Sequence, residues 1–239
     1  MKKDIYSSLC KYKKISPNKS TRTHAIDTIT IHVMAGDLSV ETCGNVFSST
    51  SRQASSNYGI DSSGNIAVYV PENYRSWCSS NRSNDDRAIT IEVANDKGAE
   101  TGYHVTDKAL TSLINLLVDV CKRNGIKQLL WKGDKKLIGQ ISKQNMTVHR
   151  WFSNKACPGD YLYNKHDYIA KSVNARLTSS STATTKQKET TSKKKSNMEI
   201  AKEVIAGKWG NGNGRKAKLE KAGYDYKVVQ REVNRLLKK

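Results

Sequence analysis

Residues 178–197, TSSSTATTKQKETTSKKKSN, contain no large apolar residue and are almost wholly Ser, Thr and Lys. Such a stretch cannot bury enough apolar surface to offset the entropy of ordering it, so it is expected to be a flexible, extended linker. It divides the chain into residues 1–177, an ordinary domain size, and residues 198–239, close to the lower limit for a fold without disulfides or metal. The later part reads as MEIAKEVIAGKW, GRKAKLEKAG and DYKVVQREVNRLLKK, separated by Gly-rich and Gly-Tyr-Asp breaks. Three short helices in a small bundle are expected, with Trp209, Leu219 and Tyr224 in its core.

Within the first part the apolar period is that of strands. In DTITIHVMAG, Ile29, Ile31 and Val33 share one face while Thr30, His32 and Met34 share the other. In RAITIEVAND the same alternation puts Ile89, Ile91 and Val93 opposite Thr90, Glu92 and Ala94. TDKALTSLINLLVDVCKRNG instead has a helical period, opens on Thr106 or Asp107 as cap, and stops at Gly125. Strands interspersed with helices predict a mixed α/β domain.

The formal charge of +19 implies an acidic partner: nucleic acid, anionic lipid, or a wall rich in phosphate and carboxylate. Residues 198–239 carry +6 of it and residues 178–197 carry +4, leaving +9 over the first 177. No segment is the dense basic helix of a base reader, so the charge implies general attraction to a polyanion and no specific nucleic-acid recognition. Five widely spaced cysteines, an odd number, fit synthesis in a reducing compartment. MKKDIYSSLCKYKK has no apolar run of signal-peptide length and nothing downstream is long enough to span a bilayer, so a soluble, unexported product without membrane insertion is expected.

MTVHRWFSNKACPGDYL places His149, Lys155 and Cys157 within nine residues. This is either two ligands of a metal site beside a cation, or a surface loop with a buried thiol. His32, mid-strand on the polar side, would supply a third ligand. Two imidazoles and one thiolate leave a fourth tetrahedral position for water, the pattern of a catalytic zinc site.

TITIHVMAG, ASSNYGIDSSGNIAVYVPENYRSWCSS, AITIEVAND and MTVHRWFSNKACPGDYL, in this order, resemble the type-2 N-acetylmuramoyl-L-alanine amidases, a superfamily shared by phage endolysins and peptidoglycan recognition proteins. The resemblance covers about residues 20–177. It implies a mixed central β-sheet flanked by helices, and Zn2+ held by His32, His149 and Cys157. It also implies hydrolysis of the amide between N-acetylmuramic acid and the L-alanine of the stem peptide. Glu92 is the first choice for general acid/base, with Tyr58 positioning or assisting and Lys155 stabilising the oxyanion. Asn57 departs from the pattern, since many relatives carry a histidine there. His104 and His166 fall outside the motifs and read as solvated or satisfied.

VIAGKWGNG and AGYDY, within residues 198–239, resemble a short cell-wall-binding repeat found after the catalytic domain of some phage lysozymes. That implies wall binding, with Asn211 and Arg215 as candidate contacts. The combined expectation is a monomeric endolysin or autolysin acting on bacterial, Gram-positive peptidoglycan after release from the host cytoplasm. A non-catalytic peptidoglycan-recognition module is the rival reading, and retention of all three ligands argues against it.

Overall fold

Every residue of Thr28–Val33 is buried, which requires cover on both sides of the strand. The computed structural model describes residues 3–181 and 195–237, which belong to two compact units. In the first unit the elements run β1 (Tyr12–Lys13), β2 (Lys19–Thr21), β3 (Thr28–Val33), α1 (Val40–Phe47), β4 (Tyr58–Ile60), β5 (Ile66–Val68) and β6 (Tyr74–Ser76). They continue with α2 (Arg82–Arg87), β7 (Ala88–Val93), α3 (Asp107–Asn124), β8 (Met146–Thr147) and α4 (Gly159–Ser181).

Six strands form one sheet in the order β1-β5-β4-β7-β3-β8, while β2 and β6 pair antiparallel apart from it. β3 runs parallel to both β7 and β8, and β4 runs parallel to β7 but antiparallel to β5, so the sheet is mixed as expected. Ile29, Ile31, Ile89, Ile91 and Val93 lie in one apolar cluster with Leu113, Leu117, Leu162 and Val173 of α3 and α4. Fully burying each such side chain stabilises the fold by about 1.5–3 kcal/mol. Thr106 caps α3 by accepting the Ala109 N–H, and Gly125 ends it in the left-handed conformation at φ 70°.

The opposite face is divided by chemistry. Toward one end, Met34, Val40, Cys43, Phe47, Tyr69 and Ala94 pack under α1. Gly59 permits this, because a Cβ there would come within 2.5 Å of the Tyr69 ring. Elsewhere the face is polar and internally bonded: Thr30 meets Thr147 at 2.7 Å, and Ser56 and Ser76 both meet Thr90.

α4 runs to Ser181, four residues beyond the boundary expected at 177. Neither Gly nor Pro interrupts 174–181, and Ser and Thr tolerate a helix even though they do not favour one. Residues 182–194, most of the expected linker, lie outside the described residues. The second unit comprises α5 (Asn197–Ile205), α6 (Gly212–Lys221) and α7 (Tyr226–Leu237) around Ile200, Val204, Leu219, Val229 and Val233. Trp209 and Tyr224 pack against that core, as expected. A capping box opens α5: Ser196 Oγ accepts the Glu199 N–H while the Glu199 carboxylate accepts the Ser196 N–H.

Candidate active site

The parallel strands end side by side, and such carboxyl ends are where α/β sheets place ligands. His32 and Glu92 are penultimate in β3 and β7 and face each other in register. His149 follows β8 in a 3-10 turn, and Cys157 precedes α4. The loop between these two closes on itself, with Arg150 N–H donating to the Cys157 carbonyl at 3.0 Å and Arg150 Nη2 to the Ala156 carbonyl at 2.7 Å. Gly159 allows α4 to start there, since a Cβ would lie 2.5 Å from the Gly102 carbonyl oxygen.

This geometry brings His32, His149 and Cys157 together: their donor atoms lie within 4.8 Å of one another. The Cys157 sulfur is 3.4 Å from His32 Nδ1 and accepts the Val33 N–H at 3.4 Å. The two imidazole rings stand edge to face with centroids 5.1 Å apart. A second group, His32, Cys78 and Glu92, meets the same distance limit.

Burial governs the protonation of every member. It holds His32 well below the usual imidazole range, assisted by His149, and lowers His149, assisted by Lys155. It pushes the Cys157 thiol up, as does Glu92, against the Val33 N–H and Arg150. Glu92 is lifted to about 8 by burial, opposed by the Cys78 thiol and Arg52. Its Oε2 is buried without a hydrogen-bond partner among the described residues. Two neutral imidazoles offering lone pairs and a thiol whose anion is otherwise disfavoured form a donor set suited to a borderline-soft cation.

Above this group opens a cleft of about 800 Å3 lined in part by Arg52, Arg75, Trp77, Arg82, Tyr103 and Lys155. Glu92, His149 and Cys157 also reach it. Lys155 thus lies at the cleft beside His149 and Cys157.

A family model described as N-acetylmuramoyl-L-alanine amidase matches residues 21–160. The chain belongs to that family. A second model, the CW_7 repeat, matches residues 198–237. Among solved structures, a selenomethionine AmpD derivative is 17% identical, with 71% of this chain and 99% of that one covered at a TM-score of 0.52. A mutant endolysin from Bacillus subtilis is 18% identical, with 68% and 97% covered at 0.51, and PlyL is 18% identical, with 68% and 95% covered at 0.51. These likenesses show the fold. No curated protein matches the chain.

In this amidase-family domain one expected participant stands elsewhere. Tyr58 is in register with Ile91, one position out of phase with Glu92, and so leaves the sheet toward α3. Its hydroxyl donates to Glu72 Oε1 at 2.5 Å and accepts the Ser7 N–H at 2.9 Å. Glu72 in turn is held by both Arg123 terminal nitrogens, at 2.7 and 2.6 Å, and by Asn124. Tyr58 is thus part of a buried structural network and stands away from the group formed by His32, His149 and Cys157.

Asn57 is fully buried: its Nδ2 donates to the Val70 carbonyl and its Oδ1 accepts the Thr90 N–H, so it ties strands rather than meeting ligand. His104 is satisfied by Asp96 at 2.6 Å. His166 is not fully satisfied, since Nδ1 meets the Leu162 carbonyl at 2.7 Å while Nε2 has no hydrogen-bond partner among the described residues. In the second unit Arg215 donates to the Gly210 carbonyl and to Asn211 Oδ1, both at 2.8 Å, so the two candidate wall contacts brace the Gly-rich loop they belong to.

Sequence reasoning missed Cys78, Ser79 and Ser80, which touch Glu92, His32 and His149 respectively. They lie within one of the motif blocks, but no spacing or period marks them as neighbours of the site.

Proposed function

We propose that residues 1–177 form a zinc-dependent N-acetylmuramoyl-L-alanine amidase domain, with 178–197 as tether and 198–239 as the wall-binding module. The observation that carries this reading is the convergence of His32, His149 and Cys157 within 4.8 Å beneath a cleft, in a domain of the amidase family. Those three residues would hold the ion, and their count leaves a position for water. When bound, zinc activates water for attack and polarises the scissile carbonyl.

The chain's own groups do the rest. A carboxyl poised near neutral pH can both accept and return a proton. Glu92, in its carboxylate form, takes the proton of the attacking water and delivers it to the nitrogen of L-alanine as the carbon–nitrogen bond breaks. Lys155 at the cleft stabilises the charge that develops on the carbonyl oxygen. Arg52, Arg75 and Arg82 line the same cleft and suit a stem peptide bearing carboxylates. The repeat at 198–237 supports binding to the bacterial wall, and tethering it to the enzyme raises the local concentration of substrate.

Elemental analysis of purified active protein tests the metal assignment. One zinc per chain, with activity lost on chelation and restored by zinc, is expected; full activity without metal would overturn it.

A further inference from the structure

Tyr103 reaches the cleft from a backbone conformation that non-glycine residues rarely adopt, at φ 61°. It belongs to the connection from β7 to α3, a loop closed on itself. The Asp96 N–H donates to the His104 carbonyl at 3.0 Å, and the Asp96 carboxylate meets His104 Nδ1 at 2.6 Å. Gly98 and Gly102 in the same loop are also left-handed, at φ 72° and 67°, and glycine adopts that region freely. Tyr103 does not, and residues held in such conformations persist where their surroundings dictate them, above all at ligand-contacting positions.

The surroundings of Tyr103 are specific. Its N–H donates to the Gly98 carbonyl at 2.9 Å, and the Gly102 carbonyl before it accepts the Tyr161 N–H of α4 at 3.0 Å. Gly159 makes room for the side chain, since a Cβ there would lie 2.8 Å from Tyr103 Cβ and 2.9 Å from its Cδ2. Loop and helix thus seat the tyrosine together beside the turn that carries Cys157. The side chain is half-buried and packs on the apolar cluster of α3 and α4, yet its hydroxyl has no hydrogen-bond partner among the described residues.

The sheet separates this tyrosine from the arginines of the cleft. β6 lies on the polar face, where Ser76 meets Thr90 at 2.8 Å. It delivers Arg75 and is followed by Trp77, whose Nε1 donates to Ser20 Oγ at 2.8 Å beside Arg75 Nη2 at 2.9 Å. Arg82 opens α2 on that side. Tyr103 comes instead from the apolar face. The arginine side suits the carboxylates of a stem peptide. The scissile amide joins that peptide to an uncharged sugar, which then falls on the side away from the arginines. A tyrosine ring offers an apolar face to sugar C–H groups, and its free hydroxyl can bond the sugar's polar rim.

We propose that Tyr103 contacts the N-acetylmuramic acid ring and sets the requirement for the glycan half of the substrate. The identity of the sugar rests on the amidase reading.

The test compares N-acetylmuramoyl-L-alanyl-D-glutamate with D-lactoyl-L-alanyl-D-glutamate, which differ only by the sugar. Turnover of both by zinc-loaded full-length protein is measured, and binding of both to metal-free full-length protein is followed by NMR titration. Wild type should prefer the muramoyl ligand. That preference, as a ratio of kcat/KM values or of affinities, should fall about 2- to 10-fold in Tyr103→Phe, the worth of one neutral hydrogen bond. It should fall further in Tyr103→Ala, which also removes the ring. Tyr103→Phe keeps the packing and decides alone should Tyr103→Ala not fold. A merely structural role would weaken both ligands alike and leave the ratio unchanged, which would overturn the proposal. So would a wild type that gains nothing from the sugar, or a preference lost in Trp77→Ala but kept in the Tyr103 variants. Tyr103-dependent binding of the muramoyl ligand without its cleavage would instead refute the amidase reading alone.

Discussion

His32 and Glu92 are in-register partners on adjacent parallel strands and leave the sheet on the same face. Burial dominates both: it holds the imidazole neutral and lifts the carboxyl to about 8. The metal-free site at pH 7 is therefore a set of uncharged groups beneath a cleft lined by Arg52, Arg82 and Lys155.

This has a sign that can be checked in the metal-free protein. Between pH 6.5 and 8 the unfolded chain has released the Glu92 proton, whose ordinary value is 4.5, while the folded chain retains it. The folded state binds more protons, so stability should fall as pH rises through that window, by at most about 2 kcal/mol. The depressed His32 and His149 act oppositely around and below pH 6.5, losing stability as pH falls, so comparison with Glu92→Gln separates the carboxyl's contribution from theirs. Urea unfolding at the two pH values should show the decline in wild type and its absence in Glu92→Gln; equal slopes would contradict the assignment.

Two donor groups share His32, and substitution separates them. Cys157→Ser should lose zinc and activity together. Cys78→Ser should keep the metal, as should Cys10→Ser, whose thiol lies near Glu72, Asp119 and Arg123 rather than the site. Elemental analysis of the three variants is the check, and zinc lost from Cys78→Ser but kept in Cys157→Ser would move the site to the second group.

Tyr58→Phe should lower stability without disabling chemistry. It removes the donor to Glu72 and leaves the Ser7 N–H buried without its acceptor, at a cost of about 1–3 kcal/mol. Thermal unfolding together with turnover on soluble muropeptide below the melting range measures both. Turnover reduced 100-fold in a fully folded variant would return Tyr58 to the reaction.

How far the sequence could be read follows from what repeats in it. The alternation in TITIHV and AITIEV assigned His32 and Glu92 to the polar face because a strand permits only two faces, and the cap at Thr106 and stop at Gly125 bounded α3 for equally local reasons. The same alternation could have excluded Tyr58, but only once the register of β4 against β7 was known, and register is a long-range property. The 78–80 turn was illegible because its geometry is imposed by Asp85, a residue that reads as an ordinary surface acid until its burial is seen. Likewise His166 read as solvated or satisfied, and only the fold shows that it lies buried against Trp131, with ring centroids 4.3 Å apart.

The second unit should target the enzyme to the wall while diffuse charge assists. Truncation after Ser181, at the end of α4, removes the repeat but none of the site residues. The shortened protein should keep zinc and hydrolyse soluble muropeptides, yet act less on intact walls at low enzyme concentration. Charge attraction is screened over about 8 Å at physiological salt, so added salt should weaken wall binding of both proteins and leave a salt-resistant component only in the full-length chain. Identical wall binding across a salt series would refute targeting.

The account stands most directly on the bond that is cut. Purified Gram-positive walls digested with zinc-loaded protein, and separately with chelated protein, can be analysed by mass spectrometry after labelling of new amines and of new reducing sugar ends. The account predicts one new α-amine on L-alanine for every muramoyl group released, no new reducing ends, and no products from the chelated sample. New reducing ends, amines on any other residue, or undiminished products after chelation would contradict a zinc-dependent N-acetylmuramoyl-L-alanine amidase.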